Sequence, residues 1–116
     1  MAREKEVDYA LSDTENEKKR LREQSRIIIE TTRRVFALAG VGPGMRVLEL
    51  GTGAGDVAIL LSEMVGPDGE VVSLEKNPEI QESARKRAEA GGHGNIKFVC
   101  CDIPAAEPEG EFDALV

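Results

Sequence analysis

Three short apolar runs, "MRVLEL" at 45–50, "EVVSLE" at 70–75 and "NIKFVC" at 95–100, are separated by two stretches with helical spacing. No other feature of the 116-residue chain restricts its fold as strongly. Between the first two runs stands "DVAILLSEMV", with Val57, Leu60, Leu61 and Met64 on one helical face, followed by the turn signal "GPDG". Between the second and third lies "NPEIQESARKRAEAGG", a helix with marked ends. Asn77 can cap it, Pro78 suits its first position, Glu79 favours the positive end, and Gly91 and Gly92 stop it. Strands joined by helical crossovers of this length form a parallel sheet with right-handed connections, so the chain is α/β. After the acidic loop "IPAAEPEGE", "FDALV" begins a fourth apolar run. Ahead of the first strand, residues 1–12 read as a polar lead-in, and one or two helices run from Ser12 or Asp13 to a stop at Gly40. There Ile28, Thr32, Val35 and Ala39 fall on one face, with Arg33 and Arg34 on the other.

The core has to be aliphatic, because the chain holds no Trp, one Tyr and three Phe. Its formal net charge is −7, unevenly spread: residues 1–40 carry nine basic and eight acidic side chains, residues 41–116 six and fourteen. So acidic a chain is a poor holder of a phosphate backbone, which argues against nucleic acid as a partner. Cys100 and Cys101 are adjacent and lack metal-type spacing, so they read as free thiols in a reducing, cytoplasmic compartment. The charged start "MAREKEVDYA" has no apolar signal-peptide core, and no stretch is long and apolar enough to span a bilayer.

"VLELGTGAGD" places Gly51, Gly53 and Gly55 directly behind the first strand. Glycine at alternate positions lets something approach the main chain more closely than side chains allow. In parallel sheets, ligands bind beyond the carboxyl ends of the strands. Glu75 ends the second strand, twenty residues past Gly55, where an acid can accept hydrogen bonds from both hydroxyls of a ribose. Asp102, after the third strand, can meet an adenine amino group while Ile103 covers the ring. Three loops thus converge on a nucleoside. A dinucleotide fingerprint would carry a third glycine where this chain has Asp56.

The GxGxG spacing preceded by Glu49, with "VVSLEKNPE", "IKFVCCDI" and "FDALV" in order after it, resembles the class I S-adenosylmethionine-dependent methyltransferases over residues 41–116. The resemblance implies a Rossmann-like parallel sheet with helical crossovers, here truncated after the fourth strand and preceded by an N-terminal helical segment. It implies that Gly51, Thr52 and Gly53 line the methionine part of the cofactor and that Gly55 permits close packing at the helix start. Glu49 would lie below the loop, ordering it or meeting the cofactor ammonium through water. Glu75 would take the ribose hydroxyls, Lys76 would flank the adenine, and Asp102 and Ile103 would hold its edge and face. Residues 1–40 are similar to the helical cover of many small-molecule methyltransferases, with Tyr9, Arg20 and Gln24 at matching positions. A small-molecule acceptor is therefore expected. Its selecting residues, and any catalytic group, would follow Val116 in the family order. No metal is implied, and His93, in the loop "GGHGN", reads as a surface residue.

Two other readings compete: a nicotinamide-dependent oxidoreductase fragment, and a non-enzymatic nucleoside-binding or self-associating module. In the family order the first strand is central, flanked on one side by the second and third and on the other by the fourth. The three early helices would share one face of the sheet. The opposite face would be left bare, so the chain is expected to form a homo-oligomer through that face or the terminal strand, unless the N-terminal helices fold across it.

Overall fold

Val47 and Val71 sit side by side in adjacent strands, and both are fully buried because their side chains leave the sheet on the same side. The computed structural model describes the backbone from Ala2 and the side chains from Thr14 to Val116. In chain order it contains α1 (Ala2–Leu38), β1 (Arg46–Leu50), α2 (Asp56–Val65), β2 (Glu70–Glu75), α3 (Pro78–Ala90), β3 (Ile96–Cys100) and β4 (Ala114–Leu115), with a 3₁₀ turn at Ile103–Ala105. The four strands form one parallel sheet in the order β3-β2-β1-β4. This is the α/β, Rossmann-like arrangement expected, with the first strand inside and the second and fourth on either side of it.

The chain divides into two units, Met1–Arg34 and Val35–Val116. The first is helix alone. Its helix continues without a break from Ala2, so the expected polar lead-in is helical. In the second unit, α2 places Leu61 and Val65 over Val47 and Val71, with Val41 closing the cluster. Phe36, Met45, Val57, Met64, Ile96 and Ala114 pack around it. The expected phase of the α1 end is corrected here: Ile28 and Val35 are exposed, and Phe36 is the residue that meets the core. Apolar side chains at 27, 28, 29, 35, 36 and 38 leave that phase undecided in the sequence.

The cap of α3 is the expected one. Asn77 Oδ1 accepts from the amides of Glu79 (2.9 Å) and Ile80 (3.2 Å), with Pro78 in the first turn. α2 has no side-chain cap and begins instead from Gly55 in the left-handed region.

The other face of the sheet is not bare, which removes the bare-face ground for the expected homo-oligomer, although β4 is an edge strand. Leu48, Val72 and Leu74 are buried there against Val99, Cys101, Ile103, Ala106 and Phe112. Apart from Val99 of β3, the covering residues belong to the segment between β3 and β4, which has little regular structure and is strapped down by Arg46. Its guanidinium donates to the carbonyls of Glu109 (2.7 Å) and Glu111 (3.2 Å), pairs with Glu70 (3.1 Å) and lies 4.2 Å from the Phe112 ring centre. The Arg46 amide also donates to the Asp113 carboxylate at 2.8 Å. Among the described residues, no helix is long and apolar enough to cross a membrane.

Candidate functional site

The carboxyl ends of β1, β2 and β3 open onto the loop of residues 51–55. Gly51 (φ 88°), Gly53 (φ 55°) and Gly55 (φ 92°) all adopt the left-handed backbone that side chains disfavour. They differ in what surrounds them. A Cβ on Gly51 or Gly53 would meet nothing within 4 Å, whereas one on Gly55 would lie 3.2 Å from the Ala84 Cβ of α3. The first two therefore turn an open backbone surface outward, and the third lets two helices close on each other.

Beneath the loop lies a buried polar chain. Glu49 and Ser73 are partners across β1 and β2, 3% and 0% exposed. The Ser73 hydroxyl donates to Glu49 Oε1 at 2.5 Å and lies 2.6 Å from the Thr52 hydroxyl. Burial pushes the Glu49 carboxyl up to about 7, against the Ser73 hydrogen bond, which pulls it down; the nearby Glu75 charge adds to the rise. The Thr52 residue is buried with its hydroxyl turned down onto Ser73, so within residues 51–53 the exposed positions are Gly51 and Gly53.

Glu75 joins the loop to α3. One carboxylate oxygen accepts from the Gly53 amide (3.3 Å) and the other from the Asn77 amide (3.1 Å). The Asn77 amide first, and the Gly53 amide after it, hold the carboxyl below its ordinary value despite burial. Lys76 and Asp102 are exposed at the same strand ends. Ile103 is half-buried and packs down on the cluster of Leu48, Val72 and Leu74. Arg20 pairs with Glu17 at 2.5 Å within the first unit, and Gln24 is exposed there. Tyr9 lies outside the residues whose side chains are described.

Two contributors escaped the sequence reading. Ser73 could have been found as the one small polar residue on the helix-covered face of β2, two before Glu75. Arg87 of α3 pairs with Asp56 at 2.6 Å and donates to the Ala54 carbonyl at 3.1 Å, clamping the loop from outside. Its spacing gives no hint of this. His93 is half-buried in its loop, 3.4 Å from the Ser62 hydroxyl. Asn95 donates to the carbonyls of Ser62 (3.0 Å) and Gly66 (2.8 Å) beside it, at the opposite end of the strands from the glycine loop.

A parallel sheet of this order, with a glycine loop after the central strand and an acid ending the next, is the early part of a class I S-adenosylmethionine-dependent methyltransferase domain. Residues 14–114 match the protein-L-isoaspartate(D-aspartate) O-methyltransferase family, and the chain belongs to it. That family uses S-adenosylmethionine. A relative named protein-L-isoaspartate O-methyltransferase, from Ignicoccus hospitalis, is 44% identical over 74 residues, covering 63% of this chain and 35% of its own. A solved structure under the same name is 42% identical with a TM-score of 0.62, covering 66% of this chain and 24% of that one. The N-terminal domain of EvdMO1, solved with SAH bound, is 27% identical with a TM-score of 0.66 over 75% of this chain and 36% of its own. The chain thus spans 35% of the length of the Ignicoccus relative. The expectation of a small-molecule acceptor is overturned, since the relatives are named for a protein substrate. The similarity to small-molecule enzymes rested on the N-terminal segment, the part of the chain with the least distinctive pattern.

Proposed function

We propose that the chain is the S-adenosylmethionine-binding part of a protein-L-isoaspartate O-methyltransferase, serving methyl transfer to a carboxylate oxygen of an L-isoaspartyl residue in a protein. The observation that carries this reading is the family match over residues 14–114. The fit of the loop to the cofactor supports it: Gly51 and Gly53 leave open space where side chains would stand. In this reading the backbone of residues 51–53 holds the methionine part, and Gly55 keeps α2 and α3 close. Glu75 takes the ribose hydroxyls, Lys76 flanks the adenine, and Asp102 and Ile103 hold its edge and face. Glu49 supports the loop from below. When bound, the cofactor supplies a methyl group already activated on a sulfonium. The protein's part is then alignment and exclusion of water rather than acid–base chemistry. Cys100 and Cys101 are both free thiols, which suits a reducing, cytoplasmic setting.

Calorimetry of the chain with S-adenosylhomocysteine and with NADH tests the cofactor; tighter binding of NADH overturns the reading. Glu75→Gln should weaken S-adenosylhomocysteine binding by about 10- to 100-fold, the equivalent of about 1–3 kcal/mol for losing a charged acceptor. Its circular dichroism should stay unchanged. The acceptor is tested by labelled methyl transfer to an isoaspartyl peptide beside its aspartyl counterpart. Label in the first alone is expected; equal label in both removes the assignment.

A further inference from the structure

The Glu49–Ser73–Thr52 chain has a direction, and counting its protons shows what fixes it. Ser73 has one hydroxyl proton and gives it to Glu49. At the 2.6 Å contact between the two hydroxyls, the proton must then come from Thr52. With the carboxylate ionised, both hydroxyl protons point down the chain, and Thr52 turns only lone pairs toward the glycine loop. With the carboxyl protonated, Glu49 can donate to Ser73 and Ser73 to Thr52. The Thr52 proton is then free for the loop. One proton at the bottom of the chain reverses the polarity at its top.

The surroundings favour such a reversal within the ordinary pH range. Burial holds the Glu49 carboxyl near neutrality, and the charged neighbour acting on it is Glu75 of β2. The helices on this face present aliphatic residues, Leu61 and Val65 from α2 and Ala84 and Ala88 from α3. Their charged pair, Asp56 and Arg87, is closed on itself at the edge of the loop. Ser73 is fully buried, and its hydroxyl is the connection through which Glu49 reaches Thr52.

We propose that Ser73 is a positioning residue that relays the protonation state of Glu49 to Thr52, and through it to the glycine loop that receives the cofactor. The inference rests on the cofactor reading above for its use, but not for its existence. Binding of a cationic cofactor over this loop favours the ionised carboxyl, so binding near neutral pH is accompanied by release of a fraction of a proton.

Two measurements separate the relay from the cofactor reading. In the ligand-free chain, the side-chain carboxyl carbon of Glu49 and the amides of Thr52 and Gly53 are followed by NMR across pH 5–9. The amides should shift with the midpoint of Glu49. They should be flat in Glu49→Gln and Ser73→Ala and follow again in Ser73→Thr, a recovery that loss of packing alone does not predict. Amides that stay flat in the wild type, or that still follow Glu49 in Ser73→Ala, overturn the relay. If Ser73→Ala does not fold, Glu49→Gln and Ser73→Thr decide. Calorimetry with S-adenosylmethionine in two buffers of different ionisation enthalpy then tests the linkage. Proton release should be seen in the wild type and be absent in Glu49→Gln. No binding heat in the wild type counts against the cofactor reading, while the NMR titration still decides the relay.

Discussion

Helices cover one face of the sheet and a strapped loop covers the other, and the two covers do unequal work. Under α2, Val47, Val71, Leu61 and Val65 are fully buried. Under the loop, Leu48, Val72 and Leu74 are nearly so, yet a half-open hollow of about 270 Å³ remains, lined by Arg46, Leu74, Val99, Cys101 and Phe112 among others. A helix brings a row of side chains into the sheet with its own backbone bonds already made. A loop has to satisfy its carbonyls elsewhere, and here Arg46 takes two of them. The helical face is tight enough to bury a carboxyl; the looped face is held by a clamp at one end.

That contrast can be broken most sharply in the core. Leu61→Ala should cost about 4 kcal/mol, because its cavity has rigid walls on every side. Leu74→Ala should cost about half as much, since the hollow beside it lets the loop settle inward. Urea denaturation of both variants measures the difference, and equal losses would show that the two covers are equally firm.

The buried carboxyl comes next. Glu49 has a folded-state pKa of about 7 against an ordinary 4.5, so the unfolded chain loses this proton first as pH rises. Stability should therefore fall between those values, by on the order of 3 kcal/mol at most, and level off above them. Glu49→Gln should flatten this slope. Glu75 acts in the opposite sense: held below its ordinary value, it contributes stability that is lost as pH falls through its folded-state pKa. Denaturation midpoints measured between pH 4 and pH 8 read out both.

On the looped face, Arg46→Ala should cost about 1–2 kcal/mol, because charged hydrogen bonds to carbonyls are lost at a partly exposed site. Amide exchange should quicken across 106–113 and not in α2. The smallest effect is at a helix end: Asn77→Ala should cost about 1 kcal/mol by leaving the Glu79 and Ile80 amides without their acceptor.

Features set by local rules could be read from the sequence. The strands, the glycine loop and the cap of α3 follow from periodicity and residue type, and Glu75 from its distance to Gly55. Arg87 and Arg46 could not be read in this way, and Ser73 only as a small polar residue in its strand, not as the partner of Glu49. Ser73 matters because register sets it against Glu49, and Arg87 because α3 crosses the start of α2. Arg46 stands inside the apolar run read as the first strand, and the loop partners it straps down lie more than sixty residues away, beyond any local pattern.

The pairing of Val47 with Ala114 spans sixty-seven residues, while β1, α2, β2, α3 and β3 meet their neighbours in chain order. Contacts between near neighbours along the chain form early, because little loop entropy is lost in closing them. The β4 pairing and the strap under Arg46 therefore join a sheet that already exists. Substitutions there should speed unfolding and leave the folding rate almost untouched, whereas those beneath α2 should slow folding itself.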